Sequence, residues 1–371
     1  MGPVRRGHRS TRHPWEREPV KAGRRTVHLE LTEPLRISRS TMASRQAVWL
    51  SVEHEGQRGH GEAVTSVYYG LDAVTLGRLL QVESQWLAGF TDPETALEAF
   101  RGGDREGAAP PAVTAAVESA LLDLVGKRAG VPVHQLLGAR GAPPAAATAR
   151  TIGITTPGRA EAQAARLVRD GFSVLKLKAG APDPADDLER VRAVRAAAPH
   201  ARLLLDPNGA WSTDTAEQLL DRFAELGVEA VEQPLPPGDP EALAKLAERS
   251  PLPVIADEDA VDYEDARRLA GRVQGINVKL AKCGGVSAAL RIAELISGTG
   301  TGLMLGCLTA STLGIAPAVH LADRARWVDL DGHLLLAKDP WTGIGGTDGT
   351  VRASRNPGLG VRPYGGEEAR A

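Results

Sequence analysis

The stretch Val174-Leu175-Lys176-Leu177-Lys178 decides the fold. It alternates within an apolar, β-type run, so Lys176 and Lys178 project to one face of a strand. Two ammonium groups side by side on a buried face are costly unless partners are supplied. Working outward, the partners stand at matching places. Asp206 closes LLLD, Glu232 closes EAVE, Asp257 follows PVIA, and a third lysine, Lys279, closes INVK. Successive polar ends lie roughly 22 to 28 residues apart, about one strand–helix unit. A β/α barrel builds its active site at the C-terminal ends of its strands, so three carboxylates and three lysines converge on one point.

The same rhythm extends in both directions. Strands are expected near 148–154, 174–178, 202–206, 228–232, 253–257, 275–279, 302–306 and 326–330. Helices fit between them near 157–171, 184–198, 213–226, 240–250, 262–271, 284–298 and 311–323, and such alternation argues for a parallel sheet. Upstream, residues 26–31 and 47–54 read as strands, and the turn Glu55-Gly56 leads to a third strand ending in GHGEA at 59–63. Residues 31–46 read as a polar loop long enough to act as a lid, and residues 64–70 as a second loop carrying Tyr68-Tyr69. One helix is expected over 72–88, with Val74, Leu79, Val82 and Trp86 as its apolar positions. Another is opened by Pro110-Pro111. The expected fold class is α/β: a modified TIM barrel of eight strands and seven helices at 147–330, with an α+β capping domain at 26–146. Residues 331–371 are expected to return to that capping domain.

Composition narrows the function. Forty-four basic and 46 acidic side chains give a net charge of −2, so no global field favours nucleic acid or an anionic membrane. No apolar run approaches the roughly 20 residues that span a bilayer, and a cytoplasmic location is expected. Residues 1–25 hold eight Lys/Arg and few aliphatics, which reads as a disordered basic extension without the apolar segment of a secretory signal. Cys283 and Cys307 make no ligand spacing and no disulfide framework.

Three carboxylates in one pocket repel each other unless a hard cation neutralises them. Oxygen-only ligation suits Mg²⁺, and the lack of His or Cys at the equivalent strand ends disfavours zinc. Asp206, Glu232 and Asp257 are therefore the candidate metal ligands. A lysine beside such a cation and a second lysine should have a lowered pKa and serve as a base. Lys176 and Lys178 come from the second barrel strand and Lys279 from the sixth, four apart in a ring of eight. Bases so placed can handle a proton on either face of the α-carbon of a metal-bound carboxylate.

Those residues, with GHGEA, VPVHQLLG, LLLDPNGAW, VEQP, ADED, INVKLAKCGG and PGLGV, resemble the enolase superfamily. The closer resemblance is to its muconate-lactonizing subgroup and, within that, to the dipeptide epimerases. It runs from about Thr26 to Gly360. It implies a capping domain built from both chain ends and Mg²⁺ held by Asp206, Glu232 and Asp257. Lys178 and Lys279 become the acid/base pair, and Lys176 helps to hold the substrate carboxylate. Asn208 and Glu258 fall where side chains orient ligands or bases. It further implies a small-molecule dipeptide substrate and a homo-oligomer. At the eighth strand, RWVDLDGHLLL places Asp329 and Asp331 on one face. A D-x-D pair there resembles the grip of dipeptide epimerases on the substrate's α-ammonium.

The implied reaction is 1,1-proton transfer at the C-terminal residue of an L,L-dipeptide, with L-Ala-L-Glu as one candidate. The alternatives are N-acylamino-acid racemisation, o-succinylbenzoate synthesis or cycloisomerisation, and, more remotely, a non-catalytic ligand-binding protein. Arg36, Arg39 and Arg45 in the lid are candidates to meet an acidic side chain. Ala310 departs from the resemblance, because relatives commonly carry Glu there, just before the serine or threonine. Cys307 reads as a small buried residue, and His320 as a core or interface histidine.

Overall fold

The computed structural model describes residues 18–102 and 109–366. The chain starts with an antiparallel sheet of β1 (Lys21–Ile37), β2 (Ser40–His54) and β3 (Gln57–Val64), paired in that order. Residues 1–17 of the expected extension lie outside the described residues. Lys21 to Arg25, however, belong to β1 and pair in register with Glu53 to Trp49. The basic run conceals a strand because an edge strand tolerates charge on its free side.

The expected 31–46 loop is likewise mostly strand. After a register shift between Glu30 and Leu35, β1 and β2 continue as a hairpin closed at Ser38-Arg39. Its side chains are largely exposed, so the ladder holds it and no apolar period betrays it. Helices α1 (Ala73–Leu87), α2 (Pro93–Arg101), α3 (Pro111–Ala129) and the turn α4 (Val133–Leu136) follow. Asp72 and Asp92 cap the first two by accepting from the amides of Thr75 and Thr95. The buried stripe of α1 is Leu76, Leu80 and Leu87. Val74 and Val82 are 82% and 54% exposed, so the expected stripe was rotated off the true one.

The barrel is legible almost to the residue. After β4 (Ala145–Ala147), it comprises β5 (Ala149–Ile152), β6 (Val174–Lys178), β7 (Arg202–Asp206) and β8 (Val228–Glu232). It continues with β9 (Val254–Ala256), β10 (Gly275–Lys279), β11 (Gly302–Gly306) and β12 (Trp327–Asp329). These pair in chain order as one eight-stranded parallel sheet. The ring is drawn together where the Leu330 amide donates to Thr148 Oγ1 (2.8 Å) and the Thr151 amide to Asp331 Oδ2 (2.7 Å).

Seven helical connections join the strands: α5 (Pro157–Arg169), α6 (Pro184–Ala197), α7 (Thr213–Glu225), α8 (Pro240–Arg249), α9 (Tyr263–Leu269), the pair α10 (Leu280–Cys283) and α11 (Val286–Ile296), and α12 (Thr312–Val319). Proline opens α5, α6 and α8, where its missing N–H costs nothing. In place of an eighth helix the chain returns to the first sheet and α3. The Ala337 amide donates to Glu30 O (2.8 Å) and Trp341 packs edge-on against Trp49 (5.5 Å). Then β13 (Trp341–Thr342) pairs with β15 (Arg362–Pro363), and β14 (Thr350–Arg352) with β4. The Leu359 amide donates to Asp123 Oδ1 (2.8 Å). No described helix is long and apolar enough to cross a membrane.

Strand alternation explains where the polar groups stand. Ala149, Val174, Leu204, Ala230, Ile255, Met304 and Trp327 form a closed apolar cluster of their own. Two residues further along the same strand faces come Thr151, Lys176, Asp206, Glu232, Asp257, Gly306 and Asp329. The plug floors the barrel, and the charged layer rests on it. Gly306 is required here, because a Cβ at that position would lie 2.4 Å from Asn277 Oδ1.

Candidate active site

Lys176 is the hub of the charged layer. Its ammonium, 1% exposed, lies 2.6 Å from Glu232 Oε2, 2.8 Å from Asp329 Oδ2 and 3.0 Å from Asp206 Oδ2. Burial opposes the charge, but the three carboxylates outweigh it and hold the lysine well above its ordinary range. Lys178 sits opposite Asp206 in the β6–β7 register, and its Nζ donates to Asp206 Oδ2 at 2.5 Å. On the far side Lys279 donates to Asp257 Oδ2 at 2.5 Å. Exposure divides the lysines: Lys178 and Lys279 keep 12% and 13% of their side chains accessible, whereas Lys176 keeps 1%. The first two reach the mouth and the third does not.

The carboxylates are unlike one another. Burial works against ionisation of Asp206, yet Lys176 and Lys178 prevail and hold it well below the usual range. Burial opposes Asp257 too, and Lys279 and Lys282 prevail there. Glu232 is pushed up to about 8 by burial and by Asp206, with Lys176 only partly compensating. Burial pulls Lys279 down, but Asp257 and Glu232 push it up further, because its nearest neighbours are carboxylates.

Asp206, Glu232 and Asp257 each lie against a lysine, and among the described residues no three His, Cys, Asp or Glu are gathered as one ligand shell. Their chemistry nevertheless fits a hard divalent cation. All three are oxygen donors on adjacent strand ends, and Glu232 Oε2 is buried without a hydrogen bond despite its nearness to Lys176.

Several supporting residues escaped the sequence reading. Lys282, 1% exposed, donates to Asp257 Oδ1 (2.8 Å) and to the carbonyls of Asp257 (2.6 Å) and Asn277 (2.8 Å). Asn277 Nδ2 donates to Glu232 Oε1 (2.7 Å). Gln233 Oε1 accepts from the amides of Asp257 and Asp259, with its backbone at φ 38°. No local spacing marks them, because each is placed by a partner on another element. Asn208 also lies at positive φ (51°), and its amide donates to Asp206 Oδ1 (2.9 Å). Glu258 accepts from Arg39 and leaves Oε2 buried without a hydrogen bond.

Asp329 and Asp331 have different settings. Strand β12 ends at Asp329, so alternation no longer dictates where Asp331 points. Asp331 Oδ2 accepts from Arg150 (3.1 Å) and from the Thr151 amide. Asp329 Oδ1 is buried without a hydrogen bond. Both still lie near Cys307, whose thiol is pushed up by burial and then by these two acids.

The place left by Ala310 is explained by Glu62 of GHGEA. Glu62 accepts from the Ser311 amide (2.9 Å), Ser311 Oγ (2.5 Å) and Trp49 Nε1 (2.7 Å). The acid serving Ser311 therefore comes from the capping sheet. His320 is buried and stacks on His134 at 5.4 Å, joining α12 to α4, which is an interface role.

A β/α barrel with seven helical connections thus brings lysines at opposed strand ends and carboxylates on three adjacent strands to one mouth, an arrangement suited to proton transfer beside a carboxylate. Residues 20–138 match the N-terminal domain of the mandelate racemase / muconate lactonizing enzyme family, and residues 159–367 match the enolase C-terminal domain-like family. The chain belongs to this enolase-superfamily group. It is 33% identical over 344 residues to a hydrophobic dipeptide epimerase of Roseobacter litoralis, covering 92% of this chain and 98% of that protein. It is also 33% identical over 310 residues to an L-Ala-D/L-Glu epimerase of Escherichia coli, covering 83% and 92%. A crystal structure of an Enterococcus faecalis dipeptide epimerase with Mg and L-Leu-L-Tyr superposes with a TM-score of 0.86 at 31% identity, covering 92% and 99%.

Proposed function

We propose that the protein is a Mg²⁺-dependent dipeptide epimerase, inverting the α-carbon of the C-terminal residue of an L,L-dipeptide. The observation that carries this is the opposition of two mouth-reaching lysines, Lys178 on β6 and Lys279 on β10, across a layer of carboxylates. Asp206, Glu232 and Asp257 would hold the ion, which supplies positive charge for the substrate carboxylate and for the enediolate charge that develops as the α-proton leaves. Lys178 and Lys279 take and return that proton from opposite faces. Lys176, buried beneath the mouth against Asp206, Glu232 and Asp329, fixes the hub and does not reach the substrate carboxylate as the resemblance implied, while Asn208 and Glu258 orient the groups around the site. Asp329, with its unmatched Oδ1, receives the dipeptide's ammonium, and Asp331 adds negative charge beside it. That unmatched acceptor favours an ammonium-bearing substrate over N-acylated amino acids. The same reading makes the enzyme a cytoplasmic homo-oligomer.

The test is a mass-spectrometric screen of L,L-dipeptide pools in D₂O with Mg²⁺. Dipeptides should gain one deuteron, chelation should abolish the gain, and added Mg²⁺ should restore it. Exchange confined to N-acylated amino acids would overturn the dipeptide reading.

The side chain recognised follows from the lid arginines. Arg39 is engaged by Glu258 and the Asn208 carbonyl. Arg45 lies beside Cys307, where burial lowers it to about 10, and its Nη1 is buried without a hydrogen bond. A cationic donor left unmet next to the mouth suits an acidic side chain on the substrate. Acidic dipeptides should be preferred, and Arg45→Met should cost them about tenfold to a hundredfold in kcat/KM while sparing neutral ones. Equal losses for both would remove Arg45 from recognition.

A further inference from the structure

The geometry points to Arg39 as a positioning residue that ties both capping loops across the mouth of the barrel. Arg39 occupies the tip of the β1–β2 hairpin. Its Nη2 donates to Glu258 Oε1 (2.8 Å) and its Nη1 to the Asn208 carbonyl (3.0 Å). These partners follow β9 and β7, so one guanidinium bridges two strand ends that also carry Asp257 and Asp206. The same guanidinium lies 4.7 Å from the centre of the Tyr68 ring. Tyr68 belongs to the loop after β3 and meets Tyr69 edge-on at 4.9 Å. Tyr69 is pushed up by burial and then by the Asp257 charge, with Lys279 opposing, which places its phenol in the field of that acid–base pair.

The hairpin has a second anchor on the opposite side. The Ile154 amide, just past β5, donates to Arg36 O (2.9 Å), and a Cβ on Gly153 would lie 3.1 Å from that oxygen. The hairpin is thus a strap fixed at β5 by backbone and at β7 and β9 by one side chain. An exposed ion pair alone contributes little. Here Glu258 is 3% exposed, and the planar fork meets two acceptors and a ring face at once, which fixes its orientation. Lysine cannot reproduce that set.

Hydrogen exchange of the full chain tests the strap without a substrate, so its outcome is independent of the proposed reaction. Arg39→Ala should speed amide exchange about tenfold in both 36–43 and 65–70, leaving β6 and β7 unchanged, and Arg39→Lys should fall between. Acceleration in neither segment, or in the hairpin alone, would overturn the proposal. On a dipeptide that wild type turns over, Arg39→Ala should lower kcat/KM about tenfold, mainly through KM. Glu258→Gln combined with Arg39→Ala should cost less than the sum of the two single losses, because both remove the Arg39–Glu258 ion pair. Additive losses would show that Arg39 does not act through Glu258.

Discussion

Lys178→Ala and Lys279→Ala are each expected to lower epimerisation by about a thousandfold, in both directions, while leaving mirror-image exchange activities. Inversion at one carbon needs a base on one face and an acid on the other. Removing either stops the net reaction whichever epimer is supplied. The surviving lysine still faces one epimer's α-proton and can trade it with solvent. One variant should therefore wash deuterium only into the L,L form, and the other only into the L,D form. Proton NMR of both epimers in D₂O reads this directly. Neither variant strands a buried acid: Asp206 keeps Lys176 at 3.0 Å, and Asp257 keeps Lys282 at 2.8 Å. Both should thus fold normally, and a loss of activity reports on chemistry. A single variant that retains epimerisation near the wild-type rate would eliminate the two-base assignment.

The barrel and its charged layer were legible because one physical rule governs both. Residues two apart share a strand face, so an acid two positions beyond Leu204, Ala230 or Ile255 must stand above the apolar plug. The strand ends at Lys178, Asp206, Glu232 and Lys279 follow from that rule together with the polar residues that close each apolar run at strand–helix spacing. The rule stops where the strand stops. Asp331 lies past the end of β12, and its contacts with Arg150 and the Thr151 amide depend on how β5 meets β12, which alternation within β12 does not encode. The hairpin carrying Arg39 was hidden for a related reason, since its ladder is backbone and its side chains face water. Lys282, Asn277 and Glu62 were missed because each serves a partner on another element, and nothing local in INVKLAKC or GHGEA says which.

Lys176 should be the residue whose loss costs most stability. Its ammonium is shared by Asp206, Glu232 and Asp329, all at most 7% exposed in their side chains. Lys176→Met fills similar space but leaves three buried carboxylates facing each other. Breaking a buried ion pair at one partner costs about 3–5 kcal/mol, and these three acids have no second shared counterion at their centre. A urea titration should show a lower midpoint at an unchanged slope, which marks altered stability without altered compactness. Lys178→Met should lose far less, because that side chain reaches the mouth and Asp206 retains Lys176. Lys176→Met also tests the cation reading without turnover. If Asp206, Glu232 and Asp257 accept Mg²⁺, the ion replaces the missing positive charge. Ligand held at a hundred times its Kd should then return about 2.7 kcal/mol. Calcium and magnesium should both raise the midpoint, whereas sodium at matched ionic strength should not. Destabilisation that no divalent cation relieves would mean that the carboxylates are a lysine-held structural cluster, and would move the metal assignment away from them.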